Sequence, residues 1–382
     1  MSKKTIYLDF AAATPLDGEV LRAMKPYGAD FFYNPSAPYQ PAREVRGDIE
    51  FARASVARIL GTKPTEVIFT AGATESINLA FNTGGHVVTS VVEHAAVITT
   101  AENYDHSLVG VDKNGLIKLA ELEKLIRDDT TLISIGLVNN ETGALQPLGE
   151  VIKIIEKVRT KRAQKSVSTQ LFLHTDASQA GGVLDLNVAR LGVDLLTLNG
   201  AKMYGPKQTG ILYVSSSVNL RPIVRGGGQE RGLRSGTENV AGIIGFAKAL
   251  EIAQKKRKTE VERLHGLRQK MINIFQSEFD DIIILNNPKH QAPHILTIAW
   301  SGLDAERALF ALEANNILVA TGSACAANKD SRSHVLTALG LKPDIIDGSL
   351  RLSFGRQTTS KEIAQAGKII SMTVKRELER GK

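Results

Sequence analysis

The chain has 382 residues, of which 43% are hydrophobic and 23% charged, with 33 glycines and 12 prolines. Such values belong to a globular protein of about two domains; they exclude wholesale disorder, collagen and coiled coil. The formal charge is +7, but the basic residues are scattered, with runs only at 255–258 and 157–165. No basic stripe interleaved with aromatics points to nucleic acid, while a positive field favours the arrival of anionic small molecules.

At the N-terminus a basic start is followed by an apolar run over 5–10 that is too short for a signal peptide and is interrupted by Asp9. No run approaches the ~18 apolar residues of a membrane span. Cys325 is the sole cysteine, so no intramolecular disulfide and no cysteine metal knuckle can form. Together these features predict a protein of the reducing cytoplasm.

Val45, Ile49, Ala52, Val56 and Leu60 recur at helical spacing, and Gly61 supplies a stop. Short apolar runs follow at 67–69, 87–92, 132–138, 171–173, 195–198 and 211–214, separated by helical patterns such as 148–158. Continuous rather than alternating runs predict strands buried on both faces, hence a mostly parallel sheet clad in helices. A long helical pattern over 240–275, broken by glycines near its start, suits a bridge between two domains. Beyond it come strand patterns at 282–285 and 295–299, a helix at 305–314, and a Gly/Ser/Ala loop at 321–328. A last helix carries Ile363, Ala366, Ile370, Val374 and Leu378 on one face. The expected fold class is α/β: a large domain over 15–250, and a smaller α+β domain from 1–14 with 251–382.

Nucleotide motifs are absent. G-x-G-x-x-G does not follow a strand, and the near P-loop at 200–205 runs into Pro206 instead of Lys-Ser/Thr. Other polar residues carry chemistry. Thr70-Ala-Gly-Ala-Thr-Glu75 follows a strand and opens a helix; free N–H groups at the helix start, with Gly72 permitting close approach and Thr74 adding a hydroxyl, suit an anion, though a plain capped turn is the commoner use of such a pattern. Asp176 ends a strand, where a carboxylate can hold a positive ligand nitrogen or cap the next helix. Lys202, just past a strand, suits Schiff-base chemistry or an exposed position beside a Gly-Pro turn. His94, after the strand ending at Val92, suits stacking on a planar cofactor, proton transfer, or a helix cap. Cys325 lies in a loop of small residues, a setting that favours a reactive over a buried, inert thiol. Arg351, in Ser-Leu-Arg-Leu-Ser-Phe, suits bidentate carboxylate capture from a strand, or simply an edge strand. No histidine has metal-ligand spacing.

Taken in order, seven motifs resemble the cysteine desulfurases of the class V aminotransferase group. They are Gly72-Ala-Thr-Glu-Ser76, Val92-Glu-His94, Val138-Asn-Asn-Glu-Thr-Gly143, His174-Thr-Asp-Ala-Ser-Gln179, Lys202-Met-Tyr-Gly-Pro-Lys207, the glycine-rich run from Gly226 to Asn239, and Gly322-Ser-Ala-Cys325. The resemblance spans nearly the whole chain. It implies the PLP-dependent transferase fold type I and pyridoxal 5'-phosphate as cofactor. Lys202 is then the cofactor-linked lysine, Asp176 the partner of the ring nitrogen and His94 the stacking residue. Asn140 and Gln179 face the ring hydroxyl, while Ala73 and Thr74 hold the phosphate. Thr237 of a second subunit completes the phosphate site, which implies a homodimer. Arg351 and Asn34 take the substrate carboxylate.

The implied reaction removes sulfur from L-cysteine onto Cys325 as a persulfide, releases L-alanine, and passes the sulfur to an acceptor or iron-sulfur scaffold protein. Where the family reads Ser-x-His-Lys, both contacting phosphate, this chain reads Asn199-Gly-Ala201-Lys202. Asn199 keeps a donor and Ala201 has none; one such contact is worth about 1–3 kcal/mol. Two other readings stand beside the desulfurase. One is a related PLP enzyme, an aminotransferase or selenocysteine lyase. The other is a catalytically weak sulfur-carrier or regulatory subunit, which Ala201 would suit.

Overall fold

The computed structural model describes residues 4–285, 289–321 and 332–380. Its largest element is a seven-stranded sheet. The strands in chain order are β1 (Ile6–Tyr7), β2 (Val67–Thr70), β3 (His86–Ser90), β4 (His106–Val109), β5 (Thr130–Ser134), β6 (Phe172–Asp176), β7 (Leu195–Asn199), β8 (Gly210–Val214), β9 (Ile283–Leu285), β10 (Ile295–Ala299), β11 (Ile317–Leu318), β12 (Ala320–Thr321) and β13 (Ser349–Ser353). The large sheet runs β2-β8-β7-β6-β5-β3-β4. Its pairs are parallel from β4 through β7, and β8 is antiparallel to both β7 and β2. The sheet is thus mostly parallel and helix-clad, as the continuous apolar runs require. A second sheet, β12-β13-β10-β9, is antiparallel throughout.

Local chemistry sets the elements that frame the site. The helix Gln40–Leu60 buries Val45, Ile49, Ala52, Val56 and Leu60 on one face. It ends at Gly61, whose φ of 69° is the left-handed conformation that lets its N–H close back on Ala57 and Arg58. The helix Val240–Glu278 runs unbroken for 39 residues despite Gly242 and Gly245. Those glycines do not break it; they admit neighbours. A Cβ on Gly245 would lie 2.6 Å from the Met24 sulfur, and one on Gly242 would lie 2.7 Å from a Thr209 methyl. One end of this helix packs Ile243, Phe246 and Leu250 into the core beneath the large sheet. The other packs Leu264, Met271 and Phe275 with Leu8, Leu296, Leu352 and Val374 under the small one. We place the division between two domains inside this helix on that partition.

Three elements differ from expectation. β4 was not evident in the sequence, because His106 and Ser107 dilute its apolar signal and three of its four residues keep some exposure. β5 stops at Ser134, although the chain stays aligned beyond it through Ile135 N–H to His174 and Leu137 N–H to Asp176. The edge-strand reading of Arg351 is wrong: β13 lies between β12 and β10, and all five of its residues are buried. Among the described residues no helix is long and apolar enough to cross a membrane.

Candidate active site

A cavity of about 180 Å³ opens at the carboxyl ends of β3, β5, β6 and β7. Crevices of open α/β sheets form there because the loops leave the strands in opposite directions. Lys202 enters from the connection between β7 and β8. Asn199 caps the 3-10 turn Gly200–Lys202 by accepting from Ala201 N–H at 3.1 Å, which aims the lysine at the chain start. Its Nζ donates to the carbonyls of Ala11 at 2.9 Å and Ala12 at 2.6 Å. Asp176 ends β6 and also lines the cavity. Its Oδ1 accepts from Ser178 N–H at 2.9 Å.

His94 is the N-cap of the helix Ala95–Ala101. Its Nδ1 accepts from Ala96 N–H at 3.1 Å, so the neutral ring carries its proton on Nε2. The ring borders the open cavity, yet enough protein surrounds it that desolvation lowers its pKa; Asp176 opposes that shift, while Lys202 and His334 add to it. Ala73 and Thr74 open the helix Ala73–Phe81 on another wall, and their N–H groups have no acceptor within the helix. Gly72 before them has φ 143° and ψ −178°, a conformation closed to side chains, and a Cβ there would point into open space.

Gln179 donates to the Ala11 carbonyl at 3.0 Å and, like Asn140 and Asn199, lines the cavity. Arg351 reaches it from β13 and is 2% exposed. Its Nη2 donates to Asp9 at 2.8 Å and its Nη1 to the Asn140 carbonyl at 3.1 Å; its Nε is buried without a partner among the described residues. The fold therefore gathers Lys202, His94, Asp176, Ala73, Thr74, Asn140, Gln179, Asn199 and Arg351. It does not bring in two others. Asn34 is exposed and its side chain accepts from Ser36 N–H at 2.9 Å; Thr237 is exposed ahead of the long helix; neither lines the cavity. Cys325 lies outside the described residues. Sequence reasoning passed over Glu93 and Ser178, which also line the cavity. Glu93 stands in the motif that yielded His94, and an acid directly after an apolar strand was the available signal.

Lys202, on the connection between β7 and β8, and the start of the helix Ala73–Phe81 line one cavity of this α/β sheet, and the family model "Aminotransferase class-V" matches residues 6–365. A cysteine desulfurase IscS of Dictyoglomus turgidum is 38% identical, over 94% of this chain and 92% of that protein. The human cysteine desulfurase is 35% identical, over 94% of this chain and 79% of its own. Among solved structures, a NifS-like protein superposes with a TM-score of 0.88 at 32% identity, over 97% of this chain and all 100% of the other. The chain belongs to the class-V aminotransferases and, within them, to the cysteine desulfurase family, whose members depend on pyridoxal 5'-phosphate.

Proposed function

We propose that this protein is a cytoplasmic, PLP-dependent cysteine desulfurase that moves sulfur from L-cysteine to Cys325 and releases L-alanine. The observation that carries the reading is the meeting of Lys202, Asp176, His94 and the start of the helix Ala73–Phe81 around one cavity, in a chain of this family. A solved relative, SspA in complex with cysteine, supports the choice of substrate; it is 32% identical with a TM-score of 0.77, over 92% of this chain.

The residues fit the cofactor. Its aldehyde needs a primary amine, and Lys202 supplies one. Its phosphate needs unpaired N–H groups, and Ala73 and Thr74 present them beside the open face of Gly72. Asn199 spends its carboxamide oxygen on Ala201 N–H, which leaves its amino group as a further donor. The buried Ser178 hydroxyl, without a partner among the described residues, is another donor on the same wall. Bound there, pyridoxal phosphate supplies an electron sink for bond breaking at the substrate's Cα and Cβ.

The chain's own groups do the rest. Asp176 would pair with the ring nitrogen, His94 would pack on the ring face, and Asn140 and Gln179 would hold the ring hydroxyl. Arg351 orients the substrate carboxylate, and its Nε, without a partner among the described residues, supports that role. Lys202 would also serve as the base that moves the substrate's Cα proton. Thr237 is exposed and away from its own cavity, which supports its service to the site of a second copy. Cys325 receives the sulfur: the carbon–sulfur bond of cysteine breaks, a sulfur–sulfur bond forms, and alanine leaves with the thiol proton. Net, cysteine and a thiol become alanine and a persulfide, with no outside oxidant. The persulfide sulfur then goes to an acceptor or iron-sulfur scaffold protein.

One preparation tests this. The purified protein is expected to be yellow and to bleach with borohydride, whereas Lys202→Ala is colourless. Cysteine with a thiol reductant is expected to yield equal amounts of alanine and sulfide, and Cys325→Ala to keep the colour and lose the sulfide. A colourless protein that stays inert after added pyridoxal phosphate refutes the reading, as does keto acid formation in place of sulfide.

A further inference from the structure

Glu93 has no part in the scheme above. It follows β3 by three residues, is 5% exposed, and lines the cavity. Its carboxyl reaches across the end of β5, where both oxygens share one donor, Gly136 N–H, at 2.9 and 3.1 Å. A Cβ on Gly136 would stand 2.9 Å from Glu93 Oε2, so only glycine lets the carboxyl lie against the main chain there. No lysine or arginine pairs with Glu93 among the described residues.

The charged and titratable groups around it come from every neighbouring element. Asp176 ends the next strand over, β6, and its charge opposes ionisation of Glu93. His94 is the adjacent residue. His334, at the start of the helix His334–Ala338, donates from Nε2 to the Glu93 backbone carbonyl at 2.9 Å. Lys202 and Arg351 line the other walls of the cavity. One shared N–H is poor compensation for a buried carboxylate beside a like charge.

We propose that Glu93 is a positioning residue that keeps its proton in the folded protein, so that it adds no negative charge beside Asp176 on the wall of the cavity. The inference rests on the reading above for what Asp176 faces. Burial, with Asp176, pushes the Glu93 pKa up to about 8, so a second negative charge enters the wall only in alkali. That charge strengthens the hold on a proton at every cationic nitrogen in the cavity.

The test compares wild type with Glu93→Gln, which keeps the oxygen that Gly136 N–H needs. Infrared spectra are taken with and without added pyridoxal phosphate. Wild type is expected to show the carbonyl stretch of a protonated carboxyl below neutrality, to lose it as the pH passes about 8, and Glu93→Gln to lack it. The cofactor-free spectra decide this point even if the protein never turns yellow, which separates its failure from that of the desulfurase reading. In the yellow protein, the pH titration of visible absorption is expected to contain a component near pH 8 that Glu93→Gln removes. Glu93→Asp keeps an acid should the glutamine variant not fold, and is expected to retain a shifted carboxyl band. A wild-type protein without that band at neutral pH, or a titration component that survives Glu93→Gln, overturns the proposal.

Discussion

Replacing Arg53 tests how the glycine-rich run that bears Thr237 is held. Arg53, on the helix Gln40–Leu60, has a side chain 6% exposed and meets Glu230, at 3%. Its Nη1 donates to Glu230 Oε2 at 2.7 Å and to the Val67 carbonyl at 2.9 Å, and its Nη2 to Glu230 Oε1 at 2.8 Å. Phe69 N–H adds a bond to Glu230 Oε2 at 2.8 Å, and the guanidinium carbon sits 4.9 Å from the Phe69 ring centroid. The pair pins a costly turn, since Glu230 and Arg231 have φ of 44° and 58°, left-handed values that non-glycine residues rarely adopt.

Arg53→Met leaves a buried carboxylate with one donor, which costs about 3–5 kcal/mol. At ~1.2 °C per kcal/mol for a chain of this size, the melting temperature falls by roughly 4–6 °C. Glu230→Gln, which leaves Arg53 its contacts to Val67 and Glu50, costs less, ~1.5–3 kcal/mol. The two losses share one interaction. The double variant is therefore expected to lose less than their sum by at least ~1.5 kcal/mol in urea denaturation. Additivity to within ~0.5 kcal/mol refutes the reasoning, because it means the pair was never coupled.

Acid is expected to weaken the fold through two buried histidines. His174 bonds Ser134 at 2.8 Å and Thr197 at 2.9 Å, and burial drops its pKa to about 3; that of His294 drops to about 4. Both stay neutral in the fold while the unfolded chain takes up protons below about 6.5. Stability is therefore full above that pH and falls toward pH 4 by up to ~1.4 kcal/mol per unit for each histidine, a slope that His294→Gln should reduce in urea titrations. Gly210→Ala would set a Cβ 2.7 Å from both the Gly72 Cα and the Leu198 carbonyl. Main chain must then shift at the start of the helix Ala73–Phe81, and cofactor Kd by absorption titration is expected to rise at least ~10-fold; an unchanged Kd separates that helix from the phosphate. Arg351→Lys loses the planar fork and is expected to raise KM for cysteine ~10-fold or more with a smaller change in kcat. An equal fall in kcat at constant KM would remove the carboxylate role.

Much of the architecture was legible because hydrophobic spacing is a local property. The helix ending at Gly61, the buried strands β2, β6, β7 and β8, and the last helix all carry their period in neighbouring residues. So does the expectation that Asp176 and Lys202 stand at strand ends, since a strand's end marks where a chain leaves the sheet.

What lay beyond the sequence depends on which segments meet. A half-exposed strand such as β4 has too little apolar content to announce itself, and the glycines of the long helix read as breaks until Met24 and Thr209 are seen against them. Arg351 reads as an edge residue until β10 and β12 close on both sides of its strand and Asp9, 342 positions away, takes its charge. Glu93 has the same logic. The protonation proposed for it comes first from burial, which the Asp176 carboxylate at the end of β6 reinforces and the Gly136 N–H just past β5 opposes, and the free energy of a charge depends on everything within a few ångströms of it, however distant along the chain. Residue order determined which groups are available and where each element starts and stops; only the tertiary fold decided which of them share a cavity and in what charge state.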